Sequence, residues 1–194
     1  SNTMLKELAN KNLTYLHMWG EYLQDTSGES EICDYIEKAQ KEAGFLYFYF
    51  LSADGNYKMA TGETGYLGLQ DNLADEILQG NDIITNAVVP GQSQMLVFAS
   101  PASHGSYQGF EYDAIAIAYE NADIVNVLDI SAFHGNAKSY VVHPDGRVVV
   151  DHSFESWGNA YNFFGVLREH SGMSEKEILA LSEKFKQGQT DAMM

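Results

Sequence analysis

Apolar and polar residues alternate most clearly in two stretches of the chain, and an Asp-Gly pair interrupts each of them. The first stretch, 44–62, reads GFLYFYFLSADGNYKMATG, and the second, 139–152, reads SYVVHPDGRVVVDH. Successive side chains of a strand point to opposite faces, and Asp-Gly supplies the positive φ that tight strand reversals need. Both stretches are therefore predicted to be β-hairpins, which indicates one supersecondary unit used twice.

Five strands are predicted before residue 134, and they should form one antiparallel sheet: 45–51, 56–61, 83–89, 94–100 and 112–119. The Gly-rich segment 61–68 and the polar segment 102–109 are predicted to be loops. In the first strand one face should carry Phe45, Tyr47, Tyr49 and Leu51, and the other Leu46, Phe48 and Phe50. In the last strand Ala114, Ala116 and Ala118 share one face, and Asp113, Ile115, Ile117 and Tyr119 share the other. An all-alanine face would let a helix approach closely.

Helical spacing of apolar residues marks the rest of the chain. Residues 3–26 predict a long helix, and its seam is Leu5, Leu8, Asn12, Tyr15, Trp19 and Tyr22. This seam would either pack on its own domain or pair two copies of the chain. Ser30 is the predicted N-cap of a second helix that ends at Gly44. Further helices are predicted at 71–78, 121–133, 159–170 and 174–186, the last opened by a capping box at Ser174.

The composition is typical of a folded domain, and its negative net charge excludes some classes of binding partner. The chain has 194 residues, of which 45% are hydrophobic and 12% aromatic, with a formal net charge of −16. Nucleic-acid binding depends on basic residues, so this class of partner is excluded. No apolar run approaches the roughly 20 residues of a membrane helix. Between Lys58 and Lys138 there is no Lys or Arg, so a ligand of this part of the chain should be neutral or cationic rather than anionic.

The order of these elements, with the motifs LSADGNY and VVHPDGR, resembles the tandem Cache sensor module, a PAS-like extracytoplasmic domain of bacterial transmembrane receptors. Four longer segments resemble the sensor regions of bacterial histidine kinases and diguanylate cyclases: GNYKMATGETGYLGL, VVPGQSQMLVFASPA, GFEYDAIAIAYENAD and LDISAFHGNAKSYVVHPDGRVVVDH. The resemblance spans residues 13–188. It implies an α+β fold in which the long N-terminal helix and a PAS-like five-stranded antiparallel sheet precede the start of a second, smaller α+β lobe.

The resemblance also implies a domain organisation. Residues 1–44 would form N-terminal helices that act as dimer contact or stalk, 45–133 the membrane-distal Cache lobe, and 134–194 part of a membrane-proximal lobe. Tandem members complete the second lobe with three more strands, which we expect beyond residue 194 in the full-length protein. Membrane attachment would come only through segments outside this chain.

The residues that should bind a ligand are mostly tyrosines, because tyrosine offers an apolar body with a polar tip. The predicted set is Tyr47, Tyr49, Tyr57, Tyr66, Phe98, Ser100 and Asp113, with Asp113 as a charged anchor. The pocket should lie between the sheet and the segment 61–80. Family members that bind amino acids carry a Tyr, Arg, Trp-Tyr signature in this cover, but here residues 60–80 contain neither Arg nor Trp. Recognition of an α-carboxylate by that route is not supported.

Catalytic and metal-binding patterns are absent from the sequence. There is no GxSxG elbow, Walker loop, Rossmann fingerprint, HExxH or CxxC. His134, His143 and His152 lack metal-ligand spacing, and the single Cys33 reads as a half-buried apolar residue. The chain is therefore predicted to be a cofactor-free, non-enzymatic sensor of a small molecule, homodimeric through its N-terminal helix. The alternatives are a soluble extracytoplasmic binding or adhesion module and, less favoured, a small hydrolase.

Overall fold

The structure is a computed structural model that describes residues 2–26, 28–67, 73–88, 94–127, 140–146, 148–151 and 162–187. The chain divides into two compact units, Ser1–Asp129 and Ile130–Met194. The predicted domain boundaries at residues 44 and 133 stay predictions. None of the described helices is both long and apolar enough to cross a membrane.

Two helices open the first unit. Helix α1 spans Asn2–Asp25 and α2 spans Glu29–Ala43. The buried residues of α1 follow helical spacing and are Asn12, Leu16, Trp19, Gly20 and Leu23. Of the predicted seam, Asn12 and Trp19 are buried, Leu8, Tyr15 and Tyr22 are half-buried, and the side chain of Leu5 lies outside the described part. The Ser30 cap is wrong, because α2 begins one residue earlier and places Ser30 in its first turn.

A six-stranded antiparallel sheet follows. Its strands are β1 (Tyr47–Leu51), β2 (Asn56–Lys58), β3 (Thr64–Tyr66), β4 (Ile83–Val88), β5 (Gln94–Tyr107) and β6 (Phe110–Glu120). Their spatial order is β3-β2-β1-β6-β5-β4, so the first three strands meet the last three through the β1–β6 pair. The fold class and the single antiparallel sheet are confirmed. Helix α3 (Leu73–Leu78) lies between β3 and β4 in the chain, and α4 (Asn121–Val127) follows β6.

The sheet is larger than predicted in two places. Strand β3 forms inside the segment expected to be a loop, where Tyr57 on β2 pairs with Gly65. Strand β5 continues through the second expected loop to Tyr107, because β6 pairs with it up to the turn at Gln108 and Gly109. Both segments are rich in glycine, and each contains a glycine that lies beneath a tyrosine ring of the neighbouring strand.

The two faces of the sheet pack against different elements. The cover face lies under α3 and includes Tyr49, Leu51, Val97, Ala99, Ala114, Ala116 and Ala118, packed with Leu73 and Ile77. The helix face lies under α1 and includes Phe48, Phe98, Ile115, Ile117 and Tyr119. The small alanine side chains let α3 lie close to the sheet. Phe45 was assigned to the face of Tyr49, but it precedes β1 and contacts Trp19 and Phe48 instead.

The second unit is a smaller α+β arrangement. Strands β7 (Tyr140–Val142) and β8 (Val148–Asp151) pair antiparallel around a turn in which Gly146 has φ 93°. Helices α5 (Phe163–His170) and α6 (Glu175–Lys186) share a core of Phe164, Leu167, Ile178 and Leu181. The capping box at Ser174 is confirmed, since its hydroxyl and the Glu177 carboxylate each accept a backbone N–H from the other residue. His134 and His152 lie outside the described residues.

Candidate ligand-binding site

Three tyrosines come together on the cover face of the sheet. Tyr47 and Tyr49 stand on β1 and Tyr57 on the neighbouring strand β2. The ring centroid of Tyr49 lies 5.9 Å from that of Tyr47 and 4.6 Å from that of Tyr57. We call these three residues the tyrosine trio. They are three of the seven residues that the sequence predicted for the ligand site.

Burial and neighbouring groups raise the pKa of two members of the trio, Tyr49 and Tyr57. Burial raises the pKa of Tyr49, and the neighbouring hydroxyls of Tyr57 and Tyr47 raise it further. The pKa of Tyr57 is raised first by burial, then by the Glu63 carboxylate and Tyr47. Tyr49 and Tyr57 therefore offer neutral O–H groups, each able to donate one hydrogen bond and to accept others.

The hydroxyls of the trio make no hydrogen bond within the described part of the chain. Tyr49 is only 1% exposed, and a buried tyrosine hydroxyl normally has a partner. Two tyrosines elsewhere follow that rule. The Tyr119 hydroxyl lies 2.8 Å from Asn12 Oδ1, and the Tyr107 hydroxyl donates to Ala60 O at 2.9 Å. No hydroxyl of the trio is among the fully buried polar atoms without a partner, so the trio places hydroxyls without a described partner beside apolar side chains, an arrangement that a small-molecule site can use.

The trio is covered by apolar residues from the segment predicted to close the pocket. Leu67, Leu73 and Ile77 are buried against the trio's face of the sheet, and Met59 packs at its side. Residues 68–72 of this cover lie outside the described residues. The Tyr57 ring passes over Gly65, where a Cβ would come within 2.6 Å of its Cζ. A side chain at position 65 would therefore displace one member of the trio.

Asp113, the predicted anchor, lies away from the trio. Tyr49 pairs with Ala116, so Asp113 is three residues, or roughly 10 Å, further along the ladder. Its Oδ2 accepts the Ala53 N–H at 2.9 Å, and its Oδ1 lies 3.2 Å from His104 Nδ1. Asp113 lies opposite the part of β5 where the pairing is irregular, between Pro101 and Gly105. The carboxylate thus ties the first hairpin to β6.

The other predicted residues are not brought to the trio. Phe98 and Ser100 alternate with Val97 and Ala99, so they belong to the opposite, helix face. Phe98 meets Tyr119 edge to face, and the Ser100 hydroxyl donates to Asp82 at 2.8 Å. The structure places them on the face opposite Tyr49, a relation that could not be predicted because alternation within one strand does not reveal its register with the next. Tyr66 is 54% exposed and lies against Gly55 at the hairpin turn.

A polar connection between α1 and the sheet was missed from the sequence. His17 Nε2 lies 2.9 Å from Asp82 Oδ1, which also accepts from Ser100. These three residues stand far apart in the chain, and no local pattern links them. They join the long helix to the beginning of β4 and to β5.

Charge is excluded from the interior of the described part. Its buried polar side chains are Asn12, Thr85, Asn86, Ser100 and Asn121, and no Asp, Glu, Lys, Arg or His is among them. In the same residues no three His, Cys, Asp or Glu side chains are grouped to hold a metal ion. Among the described residues, the trio therefore has apolar neighbours and no buried ionic partner.

Comparison with known proteins identifies the fold. No family model and no curated protein matches the chain. The extracellular domain of mmHK1S-Z3, a proposed histidine kinase, matches with a TM-score of 0.56 and 12% identity over 93% of this chain and 74% of that one. The ligand-binding domain of the Campylobacter jejuni chemoreceptor Tlp3, bound to 4-methylisoleucine, matches with a TM-score of 0.50 and 8% identity over 86% and 72%.

A third solved structure extends the likeness. The ligand-binding domain of the Pseudomonas aeruginosa PAO1 amino-acid chemoreceptor PctC, bound to GABA, has a TM-score of 0.50 and 15% identity over 76% of this chain and 70% of that one. At these identities the likeness is one of fold. The chain shares the α+β fold of these sensory domains, so the predicted fold class is confirmed.

Proposed function

We propose that this chain is the extracytoplasmic ligand-sensing input domain of a bacterial signal-transduction receptor. It would transmit the binding of a small molecule to a cytoplasmic kinase or cyclic-di-GMP output that lies elsewhere in the full-length protein. The observation that carries the proposal is the tyrosine trio, whose hydroxyls have no hydrogen-bond partner among the described residues. The fold around the trio is one that sensory domains share. No enzymatic activity of this chain is part of the proposal.

Transmission would pass through the sheet to α1. The trio occupies one face of β1, and Phe48 on the other face of the same strand contacts Trp19 of α1. Polar contacts from Tyr119 to Asn12 and from Asp82 to His17 hold α1 to that face. A ligand that prefers one arrangement of cover and sheet shifts the population toward it, and by no more than its differential affinity. A displacement of β1 would then reach the long helix directly.

The sensing proposal is tested by screening small metabolites against the purified chain by thermal shift, followed by calorimetric titration of each hit. The solved neighbours carry 4-methylisoleucine and GABA, so amino acids and their analogues belong in the first set. A genuine ligand raises Tm, and the stabilisation grows with the logarithm of its free concentration once that exceeds Kd. Tyr49→Phe should weaken its binding, and Tyr107→Phe, a tyrosine outside the trio, should not. A library without any ligand, or ligands indifferent to all three trio positions, would contradict the proposal.

We also propose that two copies pair through α1. On α1, Met18 is 51% exposed, and Leu8, one turn before the buried Asn12, is only half-buried. Sedimentation of the wild type and Leu8→Glu tests this, with Asn10→Glu, an exposed position two residues away, as the charge-matched control. Association lost only in Leu8→Glu supports pairing, and a strictly monomeric wild type refutes it.

A further inference from the structure

We propose that Asn12 positions helix α1 through a hydrogen-bond relay, in which its side-chain N–H donates to the Tyr119 hydroxyl and that hydroxyl donates to the Ala43 carbonyl. The relay joins three elements: α1, strand β6 and the end of α2. Its place in signal transmission rests on the proposed sensing function, whereas the relay itself requires no ligand.

Asn12 is a polar residue within the apolar contact between α1 and the sheet. It is only 1% exposed, and the next buried residues of the helix, Leu16 and Trp19, are apolar. The Asn12 Nδ2 atom is fully buried and has no hydrogen-bond partner within the described residues. A buried N–H without a partner costs free energy comparable to a lost hydrogen bond, so an arrangement that supplies a partner is favoured.

The Tyr119 hydroxyl has more acceptors within reach than it has protons. It lies 2.8 Å from Asn12 Oδ1 and 3.0 Å from Ala43 O, and a phenol donates a single hydrogen bond. Burial raises the pKa of Tyr119 to about 12, while the Asn12 side chain lowers it and Tyr15 raises it. The hydroxyl therefore keeps its proton at neutral pH, and that proton can serve only one of the two oxygens.

Turning the Asn12 amide by half a turn about its Cβ–Cγ bond removes this conflict. The oxygen and nitrogen of an amide are similar in size, and the hydrogen bonds that each can make decide which of them faces a neighbour. With its nitrogen toward Tyr119, the amide donates to the phenol oxygen, and the phenol proton is available for Ala43 O. This orientation makes two hydrogen bonds where the other makes one.

The relay fixes α1 along α2 because hydrogen bonds are directional. Ala43 is the last residue of α2, so its carbonyl has no N–H partner within the helix. Further along α1, Tyr22 stacks on Tyr35 of α2 with ring centroids 4.0 Å apart. Offset stacking is compatible with a range of ring positions, whereas a hydrogen bond weakens steeply when its donor and acceptor move out of line. Asn12 therefore defines the position of α1 more sharply than the stacked rings do.

This position matters for transmission because α2 leads into the strand of the tyrosine trio. The Leu46 N–H donates to the Ala118 carbonyl at 2.8 Å, immediately before Tyr119 in the chain. Tyr47 then follows as the first residue of β1. A displacement at the start of β1 thereby reaches Tyr119, and the relay passes it to α1.

Nuclear magnetic resonance of the chain without ligand tests the relay. Tyr119→Phe removes the acceptor of one bond and the donor of the other, so it should shift both the Asn12 side-chain amide and the Ala43 carbonyl resonances. Tyr107→Phe is the matched control, because Tyr107 donates to the Ala60 carbonyl at 2.9 Å, and it should shift Ala60 alone. The wild type gives a second measurement, a strong cross-peak between an Asn12 amide proton and the Tyr119 hydroxyl proton. An Asn12 amide or Ala43 carbonyl that does not respond to Tyr119→Phe refutes the relay.

Asn12→Leu tests the positioning role, because it keeps the side-chain volume and removes the hydrogen bonds. Without the relay, α1 should occupy more than one position, so the fluorine signal of 5-fluorotryptophan at Trp19 should broaden or double. A Trp157→Phe background leaves Trp19 as the only tryptophan of the sequence. Asn86→Leu is the matched control, since Asn86 is 2% exposed but stands on β4.

One sharp Trp19 signal in Asn12→Leu would show that apolar packing alone positions α1 and would overturn the inference. Equal broadening in Asn86→Leu would overturn it as well, because the effect would then belong to any buried asparagine. Neither outcome bears on the sensing function, since no ligand is present in these measurements.

Discussion

The ring of Tyr57 lies directly across the backbone of Gly65 on the neighbouring strand. A Cβ built on Gly65 would come within 2.6 Å of Tyr57 Cζ and 2.9 Å of Cε1, closer than carbon atoms pack. The same arrangement occurs between Gly105 and Tyr112. In both pairs the absence of a side chain on one strand provides the space for an aromatic ring from the next.

Gly65→Ala should therefore destabilise the first unit by about 1–3 kcal/mol, because the methyl group forces the Tyr57 ring out of its place. Urea unfolding followed by near-ultraviolet circular dichroism measures both the free energy and the tyrosine environment. Gly20→Ala in α1 is the control, since its Cβ would meet only Ile115 Cδ1, at 3.8 Å. That variant should be neutral or more stable by up to about 1 kcal/mol. Equal effects of the two substitutions would refute the steric argument.

Removing the hydroxyl of Tyr49 should cost far less stability than removing that of Tyr119. The Tyr119 hydroxyl lies 2.8 Å from Asn12 Oδ1 and 3.0 Å from Ala43 O, so Tyr119→Phe removes the donor beside the buried Asn12 and should cost about 1–3 kcal/mol. Tyr49→Phe removes a group without a partner among the described residues and should change the unfolding free energy by less than about 0.5 kcal/mol. Chemical denaturation of the two variants and the wild type measures both changes in unfolding free energy. A large loss in Tyr49→Phe would mean that its hydroxyl is bonded within the protein.

The first hairpin turn should contribute to the pH dependence of stability in acid. The Ser52 hydroxyl and the Asn56 backbone N–H bond the Asp54 carboxylate and lower its pKa below the usual range. The unfolded state, with an Asp pKa of about 4, takes up a proton first, so this contribution is complete above about pH 4 and is lost as the pH falls through the folded pKa. Because Asp54 is exposed, the effect should be only a few tenths of a kcal/mol.

Unfolding free energies of the wild type and Asp54→Asn, measured from pH 7 to pH 3, test this expectation. The difference between the two proteins should shrink toward acid pH, since the variant has no carboxylate to protonate. A constant difference across the range would show that the turn does not depend on the charge of Asp54.

The contact between His17 and Asp82 should be weak, although it joins α1 to the sheet. Both side chains are substantially exposed, at 57% and 29%, and exposed pairs contribute about 0.2–1 kcal/mol. A double-mutant cycle with His17→Ala and Asp82→Ala measures the coupling free energy. Ser100→Ala should cost at least as much as either single change, because Ser100 is buried and donates to the same carboxylate. A coupling above about 2 kcal/mol would contradict this estimate.

Local patterns predicted most of the fold, because strand alternation and helix spacing are local properties. The first hairpin, α1, the alanine face of β6 and the capping box at Ser174 all follow from residues within a few positions of one another. Strand β3 and the end of β5 could not be predicted in this way. Their glycine-rich sequences are typical of loops, and only pairing with a neighbouring strand makes them extended.

The candidate site could be predicted only in part for a related reason. Tyr47 and Tyr49 share a strand, so alternation alone places them on one face. Phe98 and Ser100 share another strand, and which of its faces matches that of Tyr49 depends on pairing across β6, a relation between distant segments. Asp113 lies opposite an irregular pair, where the alternation no longer indicates direction.

The pairing of β1 with β6 also affects the rate of folding. It joins Tyr47 to Ala118 and Leu51 to Ala114, residues more than sixty positions apart, whereas β1 to β3 and β4 to β6 are each consecutive antiparallel neighbours. Each set of three strands can form by closing short loops. The β1–β6 pair between the two sets forms only after a long loop has closed, so the entropy cost comes before any stabilising contact. We therefore expect the association of strands β1 to β3 with strands β4 to β6 to limit the folding rate. During synthesis the hydrophobic surface of β1 would remain uncovered until residue 118 has left the ribosome.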